Sequence, residues 1–520
     1  MTAKHGVLVR GLQAAGSAAN MEGARFGRIF PRLPAATYGS TPDEEQKNLE
    51  ALAKAMVSSF DPPKDGPDPE ESGIPALYTY FGQFIDHDLT FDPNSSFQKQ
   101  KDPSAVEDFR TPAFDLDNVY GRGPGDQPFM YDGDGKTLLL GDPLTLGTND
   151  KARDLQRNAA GRALIGDPRN DENTIVSQLQ GLMLRFHNGM VQTFRKDAFE
   201  AIQARVRHTY QYVVVNDFLP RIVNANVLDQ LKTNGVYDKS KIRFFKDFLG
   251  PFRAPFMPVE FSVAAYRLGH SMVRPGYRLN DAVLLPIFPV PKPIPGTVQT
   301  GLPEGLTGFR RMISDWGIDW GRFIDIDIRG YGSQTDAGNQ DNFGRLQFAY
   351  RIDTALVDPL GSLPLSVADN PPPSLALRNL QRGRQFGLPS GQAVAKAMEV
   401  KVLNDTDILI GQGVDKPDSP LQGIVGAAGQ AFANNCPLWT YILAEAMHNH
   451  QQPDPKLPVK EAVTVSTPQL GPVGGRIVAE VFLGLLFADP GSYLHSNPTW
   501  TPADGAGFRL KDLVASALQQ

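Results

Sequence analysis

The sequence holds a single cysteine, Cys436, in 520 residues, so no intramolecular disulfide is possible and core packing must stabilise the chain. A lone thiol just before Pro437-Leu438-Trp439 reads as a small buried hydrophobe rather than a nucleophile. Charge of one sign is also missing in excess. The 51 basic and 57 acidic residues leave a net charge of -6, with no dense Lys/Arg stripe, which excludes a nucleic-acid binder. No apolar run is long enough to span a bilayer. The longest, Ile477 to Ala488, is interrupted by Glu480 and reads as a buried core helix. The first twenty residues lack the apolar region of a secretory signal. The expectation is a soluble chain, cytoplasmic by default or exported by a route without a cleaved signal. There is no internal repeat and no sustained strand alternation.

What the chain does have is 50 glycines and 43 prolines, which fit helices joined by long loops, so the expected class is mainly α with little β. Residues 1–70 read as an N-terminal arm packing on one large domain over 71–520. Helical spacing begins at Ile74 and returns from Asn173 to about Val191 and from Phe199 to Leu231. Further helices are expected at 258–272, 391–402, 424–449 and 474–487. The Asp-, Gly- and Pro-crowded stretch 102–150 reads as irregular, and 285–296 (LPIFPVPKPIPG) as an extended surface connection.

Five clusters carry chemistry. In Gln83-Phe-Ile-Asp86-His87-Asp88, Gln83 and His87 stand four apart and share a helix face, while Asp86 and Asp88 project elsewhere. Imidazole is the side chain suited to acid–base work near neutrality, although a polar helix end is the bland alternative. In Thr111-Pro-Ala113-Phe-Asp115-Leu-Asp117, alternate positions of an extended loop offer the hard oxygen ligands that Ca²⁺ prefers, without an EF-hand pattern. In Gly166-Asp-Pro-Arg169-Asn-Asp-Glu172, the carboxylates fit the start of a helix, whereas Arg169 opposes its dipole. His270 ends an apolar run, as a core histidine or a buried haem ligand does. The fifth cluster, residues 375–389, is a basic helix end closed by Gly387.

Taken in this order, the five resemble the motif set of the animal-type haem peroxidases, of the peroxidase–cyclooxygenase superfamily, from about Ile74 to about Pro502. GQFIDHDLTF resembles the distal helix, RTPAFDLDNVYG the calcium loop and GDPRNDE the distal arginine segment. YRLGHS resembles the proximal helix and RNLQRGRQFGLP the proximal arginine segment. The resemblance implies a single helical haem domain, of bacterial type. It implies His87 as acid–base catalyst, Arg169 as distal arginine and Gln83 as distal glutamine near the halide site. His270 becomes the iron ligand, with the Asn379 carbonyl accepting from its far nitrogen. Arg267 and Arg382 meet the haem propionates. Asp86 and Glu172 match the carboxylates that esterify haem methyls in the animal enzymes. Asp88, Thr111, Asp115 and Asp117 match calcium side-chain ligands, with Ala113 giving a backbone carbonyl. The implied cofactors are haem b and Ca²⁺. The implied reaction reduces hydrogen peroxide and oxidises a small donor through ferryl intermediates: iodide, bromide, thiocyanate or an aromatic compound.

Two positions depart from the family pattern. Asn173 stands where one mammalian member has the methionine that bonds to haem, which argues against chloride oxidation. Phe81 stands where the animal enzymes have tryptophan. Three rival readings follow from the same residues. A fatty-acid dioxygenase of the superfamily uses a tyrosine three residues before the proximal histidine. Here that position is Arg267, and Tyr266, one residue earlier, is turned away by roughly 100° on a helix. A decayed haem- or calcium-binding protein needs neither His87 nor Arg169. A metal-dependent hydrolase built on Asp86-His87-Asp88 lacks a second clustered histidine, since His448 and His450 point apart.

Overall fold

The computed structural model describes residues 24–520 except 59–62, 64, 91–106, 109–111, 247–254, 289–304, 334–338, 340–341, 366, 368–371 and 412–419. The architecture is mainly α, and among the described residues the strands form only small sheets of two or three. Helix α1 (Pro42–Ala55) starts on the Thr41 hydroxyl, which accepts from Glu44 N–H, and places three acidic residues in the first turn. Helix α2 (Leu77–Leu89) is buried almost all round, as befits a central helix. Its Phe81 and Phe84 both meet the edge of Tyr210.

Helix α3 (Thr174–Thr193) begins on Asn173, whose side-chain oxygen accepts from Ile175 and Val176. Helix α4 (Phe199–Val213) follows and runs into a π-helical segment, Val214–Phe218. Helices α5 (Leu375–Gln385), α6 (Gly391–Met398), α7 (Leu438–Ala446), α8 (Gly474–Ala488) and α9 (Leu510–Leu518) complete the main set. The centre is layered: α2 packs on α3 on one side and on a 3₁₀ turn, Ala265–His270, on the other. Helices α7 and α8 back that turn, and α9 covers α3. The strand Ala24–Gly27 pairs in parallel with Met257–Pro258, which ties the start of the described chain to the turn's own segment. Phe348–Tyr350 pairs antiparallel with Glu71–Pro75, just ahead of α2. There Glu71 is fully buried and bridged by Arg274 and Arg345.

Several sequence expectations need correction. Ile74 and Pro75 belong to a strand, and α2 begins only at Leu77. The helix expected over 258–272 is a short helix, Val259–Ser262, followed by the 3₁₀ turn, because the backbone breaks at Ala264 with φ -130° and ψ -73°. The stretch 424–449 is divided at Gly429, with φ +108°, and again by Pro437. Helix α6 stops at Met398, where Glu399 turns left-handed. The expected connection 285–296 starts as a strand, Leu284–Pro286, and from 289 lies outside the described residues. Among the described residues no helix is long and apolar enough to cross a membrane.

Candidate functional site

A cavity of about 350 Å³ opens between α2 and the 3₁₀ turn Ala265–His270, within the size range of small-molecule and cofactor sites. Helix α2 contributes Gln83 and His87, whose four-residue spacing does put them on one face. Asp86 also reaches the cavity, contrary to its expected direction, because it stands three residues after Gln83 and so shares that face. Asp88 points away from it. The His87 ring is almost fully buried; Nδ1 lies 2.6 Å from Asn170 Oδ1 and Nε2 3.5 Å from Glu172 Oε1. Gln83 donates its amide to Glu172 and accepts from Asn173 Nδ2 at 3.1 Å. Arg169 is oriented by Asp167, with an NH2–Oδ2 distance of 2.8 Å, and donates to the His87 and Thr90 carbonyls. The cation that the helix dipole disfavours is thus neutralised by its neighbour two residues back.

On the opposite wall, His270 ends the 3₁₀ turn, and its Nδ1 is 2.8 Å from Asn379 Nδ2 on α5. Asn379 Oδ1 instead accepts from Arg267 NH1 at 3.1 Å. The expected arrangement, with the amide oxygen on the imidazole, is therefore reversed, because the neighbouring guanidinium takes the oxygen. Burial, and then the charge of Arg267, pushes His270 down to about 3, which keeps the ring neutral as a metal ligand must be. Nε2 becomes the nitrogen available to a metal once the amide turns its oxygen to Nδ1 and the ring proton sits there. Arg267 is itself pushed down to about 10 by burial and by Arg382, which also lines the cavity. Two half-buried arginines crowded in one cavity wall favour an anionic group there.

Behind α2, away from the cavity, Asp88, Asp115 and Asp117 bring carboxylate oxygens within 4.8 Å of one another. Asp88 is fully buried. Burial, and then the charge of Asp117, pushes Asp115 up to about 8, with the charge of Arg207 opposing the rise. The loop between them turns on Leu116 at φ +59° and includes Ala113; Thr111 lies outside the described residues. A set of hard oxygen donors suits a Ca²⁺-like cation.

Residues 98–292 match the family model "Animal haem peroxidase". The match covers less than half of the chain. A peroxidase-like protein of Margaritifera margaritifera is 26% identical over 244 residues, 43% of this chain and 26% of that protein. Human thyroid peroxidase is 25% identical over 240 residues, 44% of this chain and 21% of that protein. The aligned stretches thus span about a quarter or less of these curated relatives. Among solved structures, peroxidase A of Dictyostelium discoideum superimposes with a TM-score of 0.58 at 14% identity, covering 95% of this chain and 93% of that one. That likeness concerns the fold.

Eight residues singled out from sequence line one cavity: Gln83, Asp86, His87, Arg169, Glu172, Arg267, His270 and Arg382. Asn379 stands one hydrogen bond behind, and Asp88, Asp115 and Asp117 form a separate cluster. His448 and His450 are not part of any shared site: His448 Nε2 meets the Asp407 carbonyl at 2.7 Å, while His450 Nδ1 meets Ser466. Cys436 is fully buried and its thiol is pushed well up by that burial, as the sequence context suggests. Sequence reasoning passed over Asn170, Asp167 and Gln180, which hold His87 and Arg169 from behind. Asp167 had a signal, since an acidic residue two before an isolated cation is a ready partner. The two amides had none, because their contact depends on the meeting of two separate elements.

Proposed function

We propose that the chain is a haem peroxidase that reduces hydrogen peroxide at the expense of a small donor: iodide, bromide, thiocyanate or an aromatic compound. The observation that carries this reading is the shared cavity of His87 and His270, with Arg169 beside one and Asn379 behind the other. The donor set fits a haem b: a neutral, half-buried imidazole for the iron and two arginines for the propionates. When bound, the haem supplies the redox chemistry that cleaves the peroxide O–O bond and draws electrons from the donor.

The chain's own residues position and protonate. His87 Nε2 takes the proton from one peroxide oxygen and returns it to the other, as a general base and then acid. Arg169 stabilises negative charge as the oxygens separate. His270 Nε2 would hold the iron, with Asn379 orienting its ring through Nδ1. Arg267 and Arg382 would bind the propionates, and Asp86 and Glu172 would supply the ester links to the haem edge. Gln83, bonded to Glu172, marks the space where a halide enters. Asp88, Asp115 and Asp117, with the Thr111 and Ala113 oxygens that the resemblance implies, would hold Ca²⁺ and fix the end of α2.

The test is an absorption spectrum of the chain supplied with haem, then peroxide, then iodide or a phenol. A ferric Soret band that changes with peroxide and returns with donor supports the reading, and His87→Gln should slow the peroxide step about 10²- to 10⁴-fold. A chain that takes up no haem sinks it. Tyr266 gives a fatty-acid dioxygenase its place as second reading, since the ring lines the cavity despite its shifted position. Its hydroxyl is committed, however, to the Gly82 carbonyl at 3.2 Å.

A further inference from the structure

Asn170 is fully buried in the 3₁₀ turn Pro168–Asp171, between the residues that face the cavity. Its Oδ1 lies 2.6 Å from His87 Nδ1, and its Nδ2 donates to Gln180 Oε1 at 2.8 Å. Gln180, buried in α3, donates its own Nε2 to the Asn118 carbonyl at 3.3 Å. The direction of this chain is set at its far end, because a main-chain carbonyl can only accept. Gln180 must therefore turn its NH2 to Asn118 and its oxygen to Asn170. Asn170 must then turn its NH2 to Gln180 and its oxygen to His87. An amide oxygen accepts only, so the proton of a neutral His87 ring sits on Nδ1. That leaves the lone pair on Nε2, the nitrogen that faces Glu172 across the cavity edge.

We propose that Asn118, Gln180 and Asn170 form a tautomer lock for His87, with Asn170 as the positioning residue. The lock rests on the reading of His87 as the acid–base group, and it supplies what that role requires. The two neutral tautomers of a free imidazole are close in energy, and only one presents a lone pair to the cavity. The anchor is rigid for a separate reason. Gly166 lies so close to the same loop that a Cβ there would stand 2.2 Å from the Asp117 carbonyl. The Asn118 carbonyl also accepts from Asp167 N–H at 3.2 Å, so one loop fixes both the His87 tautomer and the carboxylate that orients Arg169.

The test is long-range ¹H–¹⁵N correlation of the histidine rings in the full chain, as purified and after haem is supplied, with His87 assigned by its loss in His87→Gln. The lock requires the Nδ1–H tautomer in the natural sequence and in Asn170→Asp, which keeps an acceptor. In Asn170→Ala, His87 should move to Nε2–H or to a mixture, and the peroxide step of the haem-loaded protein should slow about 10²-fold and recover in Asn170→Asp. An Nε2–H tautomer in the natural sequence overturns the proposal whatever the variants do. So does a folded Asn170→Ala, judged by circular dichroism and melting, whose His87 is still Nδ1–H. The spectrum of the haem-free chain reads the lock itself. A chain that binds no haem or ignores peroxide overturns the peroxidase reading separately.

Discussion

The Asn379 amide touches two partners at once: its Nδ2 lies 2.8 Å from His270 Nδ1, and its Oδ1 accepts from Arg267 NH1 at 3.1 Å. A histidine that ligates iron through Nε2 carries its proton on Nδ1 and needs an acceptor there. Turning the amide half round provides one, at the cost of the bond to Arg267, whose guanidinium then turns to an anionic group in the cavity. Asn379→Ala removes both options and is expected to weaken haem binding about 10- to 100-fold. Asn379→Asp, which keeps an acceptor, should retain it. Titration with haem, followed by Soret absorbance, reads the difference; an Asn379→Ala chain that titrates like the natural one argues against His270 as the ligand.

The acidic cluster behind α2 makes a prediction about pH. Asp115 is pushed from 3.8 up to about 8 by burial and by Asp117, so between those values the folded chain binds more protons than the unfolded one. Stability in a chelator must then fall as pH rises through that window. A bound cation reverses the penalty and gains affinity as the carboxylates ionise. Calcium should therefore raise the melting temperature more at pH 8 than at pH 5. At a hundredfold excess over its dissociation constant, the stabilisation is about 2.7 kcal/mol. Asp115→Asn should flatten the pH dependence and blunt the calcium response, both read by calorimetric scans. Equal calcium shifts at the two pH values would remove the cluster from consideration as a cation site.

Asn173, where the family comparison marks a departure, has work of its own in this chain. Its side-chain oxygen caps α3 by accepting from Ile175 and Val176 at 3.1 and 2.9 Å, and its Nδ2 donates to Gln83. Asn173→Ala should lower stability by about 1 kcal/mol in urea unfolding, and Asn173→Asp should restore most of it. A methionine here would lose the cap as well. The natural chain should give no measurable chloride oxidation while oxidising iodide. Chloride turnover would show that the missing methionine is not what limits this chain.

Much of the site was legible because its residues lie in short local patterns. The four-residue step from Gln83 to His87 and the alternation of Asp115 and Asp117 are set by backbone periodicity, which sequence carries directly. The pairing of these patterns into one cavity was legible only through resemblance, since residues as far apart as Gln83 and Arg382 share no local signal. The irregular turn that holds His270 was misread as regular helix because Ala264, where the backbone breaks, is a good helix former by composition. Tertiary packing overrides such propensities. The orientation of the Asn379 amide was misread for a related reason: it is decided by competition between His270 and Arg267, which depends on which neighbour the fold brings closer.

Tyr266 separates the two readings of the cavity. Its ring stacks on Phe261 with centroids 4.8 Å apart, its hydroxyl donates to the Gly82 carbonyl, and burial, with Asp86 nearby, holds that hydroxyl well above its usual range. A tyrosine that starts a dioxygenase reaction must give up its hydroxyl hydrogen, so Tyr266→Phe would abolish that activity. A peroxidase that works through His87 and Arg169 does not use the hydroxyl at all. Its loss should cost about 1 kcal/mol of stability, the worth of one hydrogen bond, because Gly82 keeps its carbonyl beside the smaller edge of phenylalanine. Tyr266→Phe is therefore expected to melt slightly earlier and to oxidise iodide with peroxide at the natural rate. Oxygen uptake with a long-chain fatty acid, monitored by electrode, should be absent in both proteins. Uptake in the natural chain that disappears in Tyr266→Phe would transfer the assignment to the dioxygenase, with His87 and Arg169 left as the machinery that prepares it.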